Sequence, residues 1–585
     1  MKDFIKHIIA SFLGFILAGM TFFILGITLL AGFLISSNSE VPVKDSSVLV
    51  LKLEGNLEEQ VNENPLQELL GIENQSYGLD DVLTAIRDAQ NDNRIKGIYL
   101  EPSYLECSFA SIEEIRNALL KFKESGKFVI SYADQYTQNM YFLASVSDEL
   151  IINPLGTISW HGLSSQPIFY KEFLDKLGIE MQIFKVGTYK SAVEPFNSTQ
   201  MSDASYEQTM ANIQSIWNTI KCSISESRGI TPEQLHAYAD IPLDFQPATR
   251  YKELGIVDTI MYKSDVINYL KQLTGKLPFE ELNQLALKDM IHIHKDSSSS
   301  GRNHTIAVYY AFGGIDDATS DGTGIKSQKV IKDLRKLRED HHVKAIVLRV
   351  NSPGGSAYGS EQIWHEVQKT KEVKPVIVSM GDYAASGGYY ISCAADYIVA
   401  NPTTLTGSIG IFGMIPNLQG LMKDKLGLHS DIVKTNSFAD IGNLTRPFNS
   451  DEKEAFQNYI NTGYQLFIQR CSEGRNMSRE AMEKIAQGRV WTGEEALKIG
   501  LVDELGDLDK AIQIASERAG VNNCRIKSYP KKENFIFTLL NQEADHYILQ
   551  QIFNSLGFST KIPYINRLQE ADPIQARLLF DPGIR

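Results

Sequence analysis

The feature that most constrains this chain is a repeat. Residues Ile95 to Gly162 align without a gap onto Val343 to Gly410, at a constant offset of 248. Asp148 then falls on Asp396, Asn153-Pro154 on Asn401-Pro402, and Gly162 on Gly410. Near the ends of the copies, Leu254-Gly255-Ile256-Val257-Asp258 matches Ile499-Gly500-Leu501-Val502-Asp503. Two copies of one unit must fold as two related domains, and the total of 585 residues exceeds a single ordinary core.

Within each copy, strand and helix patterns alternate. In the first, Val48–Gly55 reads as a buried strand closed by glycine. Leu79, Val82, Leu83 and Ile86 then recur at helical spacing, followed by a strand at Ile95–Leu100, a helix at Ile112–Phe122 and a strand at Phe128–Tyr132. The second copy repeats the order with Thr305–Tyr310, Ile331–Leu337 and Val343–Leu348. Strands alternating with helices of this length predict an α/β fold of parallel βα units. The joint carries Ser297-Ser298-Ser299-Ser300-Gly301, a linker composition. The expected organisation is a first copy over 48–294, a linker over 295–304, a second copy over 305–529 and a C-terminal extension over 530–585.

Ahead of the copies, Ile8 to Ile35 is one uncharged apolar run. At about 1.5 Å per residue it exceeds the roughly 30 Å hydrocarbon layer, so residues 1–37 are expected to be a cytoplasmic N-terminus and a single membrane anchor. The run is too long for a signal-peptide core and no clear A-x-A site follows it, which favours an uncleaved anchor. Lys2 and Lys6 precede it, leaving the N-terminus cytoplasmic and the body at the outer face of a bacterial-type plasma (inner) membrane. A formal net charge of −14 and the lack of any Lys/Arg-rich block exclude a nucleic-acid partner. The five scattered cysteines include no CxxC pair, so they read as buried free thiols rather than a disulfide framework or zinc site.

The chemistry lies where the copies differ. Ala384-Ala385-Ser386-Gly387-Gly388 sets a serine among small residues, between an apolar run ending at Met380 and a helix-like segment from Tyr389. A serine at a strand-to-helix turn has an exposed hydroxyl with backbone N–H groups nearby, so Ser386 is the candidate nucleophile. Gly354-Gly355 follow the preceding strand directly, and N–H groups of Gly354 or Gly355 and of Gly387 are candidate oxyanion donors. Opposite these positions the first copy has Gln138, Asn139-Met140 and Glu106-Cys107, so only the second copy is equipped to attack.

A serine hydroxyl needs a base. No G-x-S-x-G elbow occurs, and none of the eleven histidines falls in the glycine-rich turns of the second copy. His161 matches Ile409, but a lone histidine is more often structural. His292 and His294 would alternate on one strand face, yet no carboxylate or cysteine is spaced to complete a metal site, and neither metal nor cofactor is expected. Lys190 is the better base. It stands among small and apolar residues in Gly187–Phe196, where the second copy has Ala439-Asp440. To act, its amine must fall from a reference of about 10.4 to roughly 7 or 8, which requires a dry cleft between the copies and a polar neighbour to aim it. Ser408, in Thr406-Gly407-Ser408-Ile409-Gly410, is the candidate for aiming.

Five motifs in this order resemble the signal peptide peptidase A (protease IV) family, in its long duplicated bacterial form. They are Tyr189–Phe196, Asn351–Ser356, Ala384–Tyr390, Thr406–Gly410 and Gly488-Arg489-Val490-Trp491-Thr492-Gly493. The resemblance implies a crotonase-like fold related to the Clp protease and a Ser–Lys dyad of Ser386 and Lys190, with Ser408 contacting the lysine. It also implies a homotetramer acting on signal-peptide remnants and other apolar peptides. Two other readings share the scaffold: an acyl-CoA enzyme without a serine nucleophile, disfavoured by Ser386 and by export, and a non-catalytic membrane scaffold.

Overall fold

A computed structural model of the chain describes residues 6–7, 11–21, 25, 42–61, 76–293, 304–316, 324–522, 524–532 and 574–577. The first copy runs β1 (Ser47–Glu58), α1 (Leu79–Asn91), β2 (Ile95–Glu106), α2 (Phe109–Lys123), β3 (Phe128–Tyr136), α3 (Gln138–Ala144), β4 (Glu149–Ile158), β5 (Glu180–Lys185) and α4 (Asp203–Arg228). The second runs β6 (Thr305–Phe312), α5 (Ser327–Glu339), β7 (Val343–Ser352), β8 (Gly354–Ser356), α6 (Ala357–Lys371), β9 (Val376–Ala385), α7 (Gly387–Ser392), β10 (Leu405–Gly407), β11 (Phe412–Asn417) and β12 (Val490–Thr492). A last strand, β13 (Ile574–Arg577), comes from the C-terminal extension.

Each copy builds its own parallel sheet. In the first, β1, β2, β3 and β4 lie side by side; in the second, β6, β7, β9 and β10 do so, with β12 antiparallel at the edge. The apolar runs in these strands are nearly continuous because both faces are covered: Ala345 to Leu348 are fully buried. Helix α1 covers its sheet with one stripe, Leu79, Val82, Ala85, Ile86 and Ala89, whereas α2 is buried all round from Phe109 to Arg116. The repeated Gly-Ile/Leu-Val-Asp segment has the same task in both copies. Asp258 accepts from Leu150 N–H and pairs with Arg228, and Asp503 accepts from Ile398 N–H and pairs with Arg475.

Two joins between the copies bear directly on the strands around the glycine turn. Strand β5 of the first copy runs antiparallel to β11 of the second, from Lys185↔Phe412 to Glu180↔Asn417, inside a third sheet. Beneath the end of β7, Arg349 of the second copy is enclosed with Glu59 (2.9 Å) and Glu114 (2.6 Å) of the first, all three buried. Glu59 also accepts from Asn351, three residues before Gly354. The ionic cluster therefore ties the first copy to the strand that leads into the glycine turn.

Several expectations fall on residues outside this description: most of the 8–35 run, nearly all of the 295–304 linker, and most of 530–585. Among the described residues no helix is long and apolar enough to cross a membrane. Leu287–Ile293 is a helix, so His292 is not on the expected strand, Leu287 and Met290 turning inward at helical spacing; His294 lies outside the described residues. Cys393 and Cys471 are buried free thiols as expected, whereas Cys222 is exposed on α4. Replacing Arg349 by Met strands two buried carboxylates, and is expected to cost about 3–5 kcal/mol in urea unfolding. A midpoint unchanged from wild type would show that the cluster does not hold the copies together.

Candidate active site

The nucleophile's geometry begins with the backbone. Ser386 ends β9 and precedes α7 with φ 56 and ψ −114, a conformation that side-chain-bearing residues rarely adopt. Two bonds hold it there: Ser386 N–H donates 2.8 Å to Gly407 O, and Tyr390 N–H donates 2.8 Å to Ser386 O. Small neighbours are required, since a Cβ on Gly388 would lie 2.6 Å from Ser352 O. The first copy has relaxed this turn. There Thr137, one position before the aligned Gln138, holds the N-cap at φ −65 and accepts from Met140 N–H. Gln138 instead accepts from the N–H groups of His161 and Gly162.

The lysine arrives from the first copy. Lys190 stands at the head of a short helical turn, Ser191–Val193, and is 1 % exposed. Its Nζ lies 2.8 Å from Ser386 Oγ, 2.9 Å from Ser408 O and 3.0 Å from Ser408 Oγ. Burial pushes its pKa down from 10.5 to about 7. A neutral amine has two N–H donors and one lone pair. With both donors directed at Ser408 O and Oγ, the lone pair is left to accept from the Ser386 hydroxyl. Ser408 adopts a positive φ of 51, and its own N–H donates 2.7 Å to Arg489 O.

The glycine turn lies beside this pair. Gly354 has φ 98 and its N–H donates to Ser352 Oγ (3.1 Å), so of the expected oxyanion donors this one is already engaged. A Cβ on Gly355 would sit 2.0 Å from Ile315 O, so only glycine allows β8 this close to its neighbour. On its other side β8 pairs antiparallel with β13, Gly354↔Arg577 to Ser356↔Gln575, and β13 also pairs antiparallel with β11. A stretch of the chain's own C-terminal extension thus lies extended next to the glycine turn. His161 is away from the dyad, its exposed ring 3.4 Å from Asp244.

Sequence reasoning named the reacting groups and missed their holders. Gly488 packs on Lys190 so tightly that a Cβ would lie 2.7 Å from the lysine Cβ and N. Ser352, which fixes Gly354, was readable only as part of a turn motif. Asn351 accepts from Tyr383 N–H and donates to Asp382, joining the ends of β7 and β9. No single-sequence signal distinguishes such residues from ordinary turn polar groups.

Comparison with known proteins shows the family of the chain. A family model described as peptidase family S49 matches residues 121–276 and again 368–522, one match per copy, and a Clp protease model matches 319–404. Protease 4 of Haemophilus influenzae is 36% identical over 532 residues, covering 88% of this chain and 85% of its own length. Protease 4 of Salmonella typhi is 38% identical, covering 78% and 74%, and the chloroplastic serine protease SPPA of Arabidopsis thaliana is 33% identical, covering 82% and 70%. The chain is a serine peptidase of α/β fold. It belongs to peptidase family S49.

Because only the neutral amine accepts a proton, kcat/KM is expected to rise with pH through about 7 and to stay high above it. A rising limb near pH 9 or 10 would contradict the buried lysine. Ser408→Ala removes one acceptor for the amine and is expected to lower kcat about 10- to 100-fold in a peptide-hydrolysis assay.

Proposed function

We propose that the chain is a membrane-anchored endopeptidase that cleaves apolar peptides, signal-peptide remnants among them, through an acyl-enzyme on Ser386. The observation that carries the reading is the 2.8 Å contact between a fully buried lysine amine and the serine hydroxyl. Lys190 takes the hydroxyl proton as Oγ attacks the peptide carbonyl, and the oxyanion accepts from the N–H groups of Gly355 and Gly387. The protonated amine then donates to the leaving amine. Water, deprotonated by the same lysine, hydrolyses the ester in the second half.

Peptide recognition by backbone pairing is supported by β13, which shows that the edges of β8 and β11 accept an extended segment. The anchor over 8–35 would hold this cleft at the outer face of the bacterial plasma membrane, where apolar remnants emerge. A homotetramer is supported by apolar side chains left in the open between β11 and β12, including Leu426, Leu428, Val433 and Phe438.

Ser386→Ala and Lys190→Ala are each expected to lower hydrolysis of an apolar peptide by at least about 10³-fold with the fold intact. Retained turnover in either variant sinks the dyad. An acylating inhibitor should label Ser386 stoichiometrically, which neither an acyl-CoA enzyme nor a scaffold would allow.

A further inference from the structure

Lys190 is carried on a turn, so the position of its amine depends on what holds that turn. Behind it lies Gln208, on α4, 4 % exposed and bonded at both ends of its amide. Nε2 donates 3.0 Å to Tyr189 O and 2.9 Å to Ser191 Oγ, the residues on either side of Lys190. Oε1 accepts from Val490 N–H at 3.2 Å. Tyr189 O can only accept and Val490 N–H can only donate, which fixes the orientation of the amide.

Val490, in β12, is the register partner of Gly407 in β10. Gly407 O takes the Ser386 N–H, and Ser408 next to it takes the lysine amine. The bonds therefore close a circuit from the lysine turn through Gln208, Val490, Gly407 and Ser408 back to the dyad. We propose that Gln208 is a positioning residue that clamps the lysine turn of the first copy onto the β10–β12 pair of the second, holding the base in reach of the nucleophile. The clamp rests on the Ser386–Lys190 reading and adds to it the residue that sets the distance across the copies.

A neutral amide is the group this place requires. The charged neighbours are engaged elsewhere: Glu207 pairs with Arg489 at 3.0 Å, Arg489 lies over the rings of Tyr189 and Trp491, and Glu194 accepts from Ser202. The Lys190 amine itself is bonded to Ser386 and Ser408. Glutamate at 208 would keep the bond from Val490 but lose the two bonds that Nε2 donates and put a negative charge on the turn that carries the buried amine, favouring its protonated form. Methionine would match the length but leave Val490 N–H unpaired and remove the bonds to Ser191 Oγ and Tyr189 O, the latter keeping only its bond from Ser191 N–H, which loosens the turn.

The test is steady-state peptide hydrolysis by the full-length protein from pH 5.5 to 10, comparing wild type with Gln208→Met and Gln208→Glu. Gln208→Met should lower kcat about 10- to 100-fold with KM changed less than about twofold, as a misplaced catalytic group does. Gln208→Glu, nearly isosteric and so a guard against a folding defect, should move the rising limb of kcat upward by about one pH unit or more. If both variants keep the wild-type limb and a kcat within about twofold, whatever happens to their melting temperature, the clamp is overturned. Hydrolysis retained by Lys190→Ala would instead remove the dyad beneath it.

Discussion

The chemistry proposed for this fold depends on one contact made between two copies of the same unit. A lysine amine from the first copy and a serine hydroxyl from the second meet at 2.8 Å. A displacement of about an ångström in such a pair costs roughly two orders of magnitude in rate, so the join between copies has to be as rigid as a core. The shared sheet through β5 and β11, and the buried cluster of Arg349 with Glu59 and Glu114, supply that rigidity. Both lie close to the elements that hold the reacting groups.

The two copies have specialised by giving up complementary costs. Ser386 sits in a strained turn, while the corresponding cap in the first copy, Thr137, is relaxed and bonded to its own helix. Lys190 is an amine held out of water, with a depressed pKa worth roughly 5 kcal/mol of differential stabilisation of its neutral form. The Ser386 turn is held by bonds within its own copy, whereas the Lys190 amine is enclosed by Ser386 and Ser408 of the other copy and would lose that enclosure on an isolated unit. The duplication provides that surrounding structure. Each copy is the wall of the other's site.

The fold was legible in the chain because its signals are local. The apolar runs of β1, β2, β6 and β7, and the stripe of α1, were readable within a residue or two at their starts, and the offset of 248 predicted helices α2 and α6 at matching positions. Strand ends were read short, since β2 and β7 run on past their apolar runs toward the turns that carry the chemistry. The candidate residues stood out from contrast between the copies, Ser386 and the glycines where the first copy lacks them and Lys190 where the second does, and the structure brings Ser386 and Lys190 together. What stayed hidden was long-range. Gln208 looks like one polar residue on an amphipathic helix, Gly488 like a turn, and Arg349 like a charge misplaced in a strand. Their roles arise only when the other copy closes over them. The pairing of β13 with β8 was hidden for the same reason, since a four-residue strand carries no signal of its partner.

The central claim, that the cleft between the copies keeps Lys190 neutral so that it can accept the serine proton, is tested most directly by titrating that amine. Carbon-13 NMR of the full-length protein labelled at lysine Cε, with the resonance assigned by Lys190→Arg, reads its ionisation without reference to turnover. The account predicts a midpoint of about 7. A midpoint near the ordinary lysine value of about 10.4 would mean that the amine is charged at neutral pH, and would contradict it.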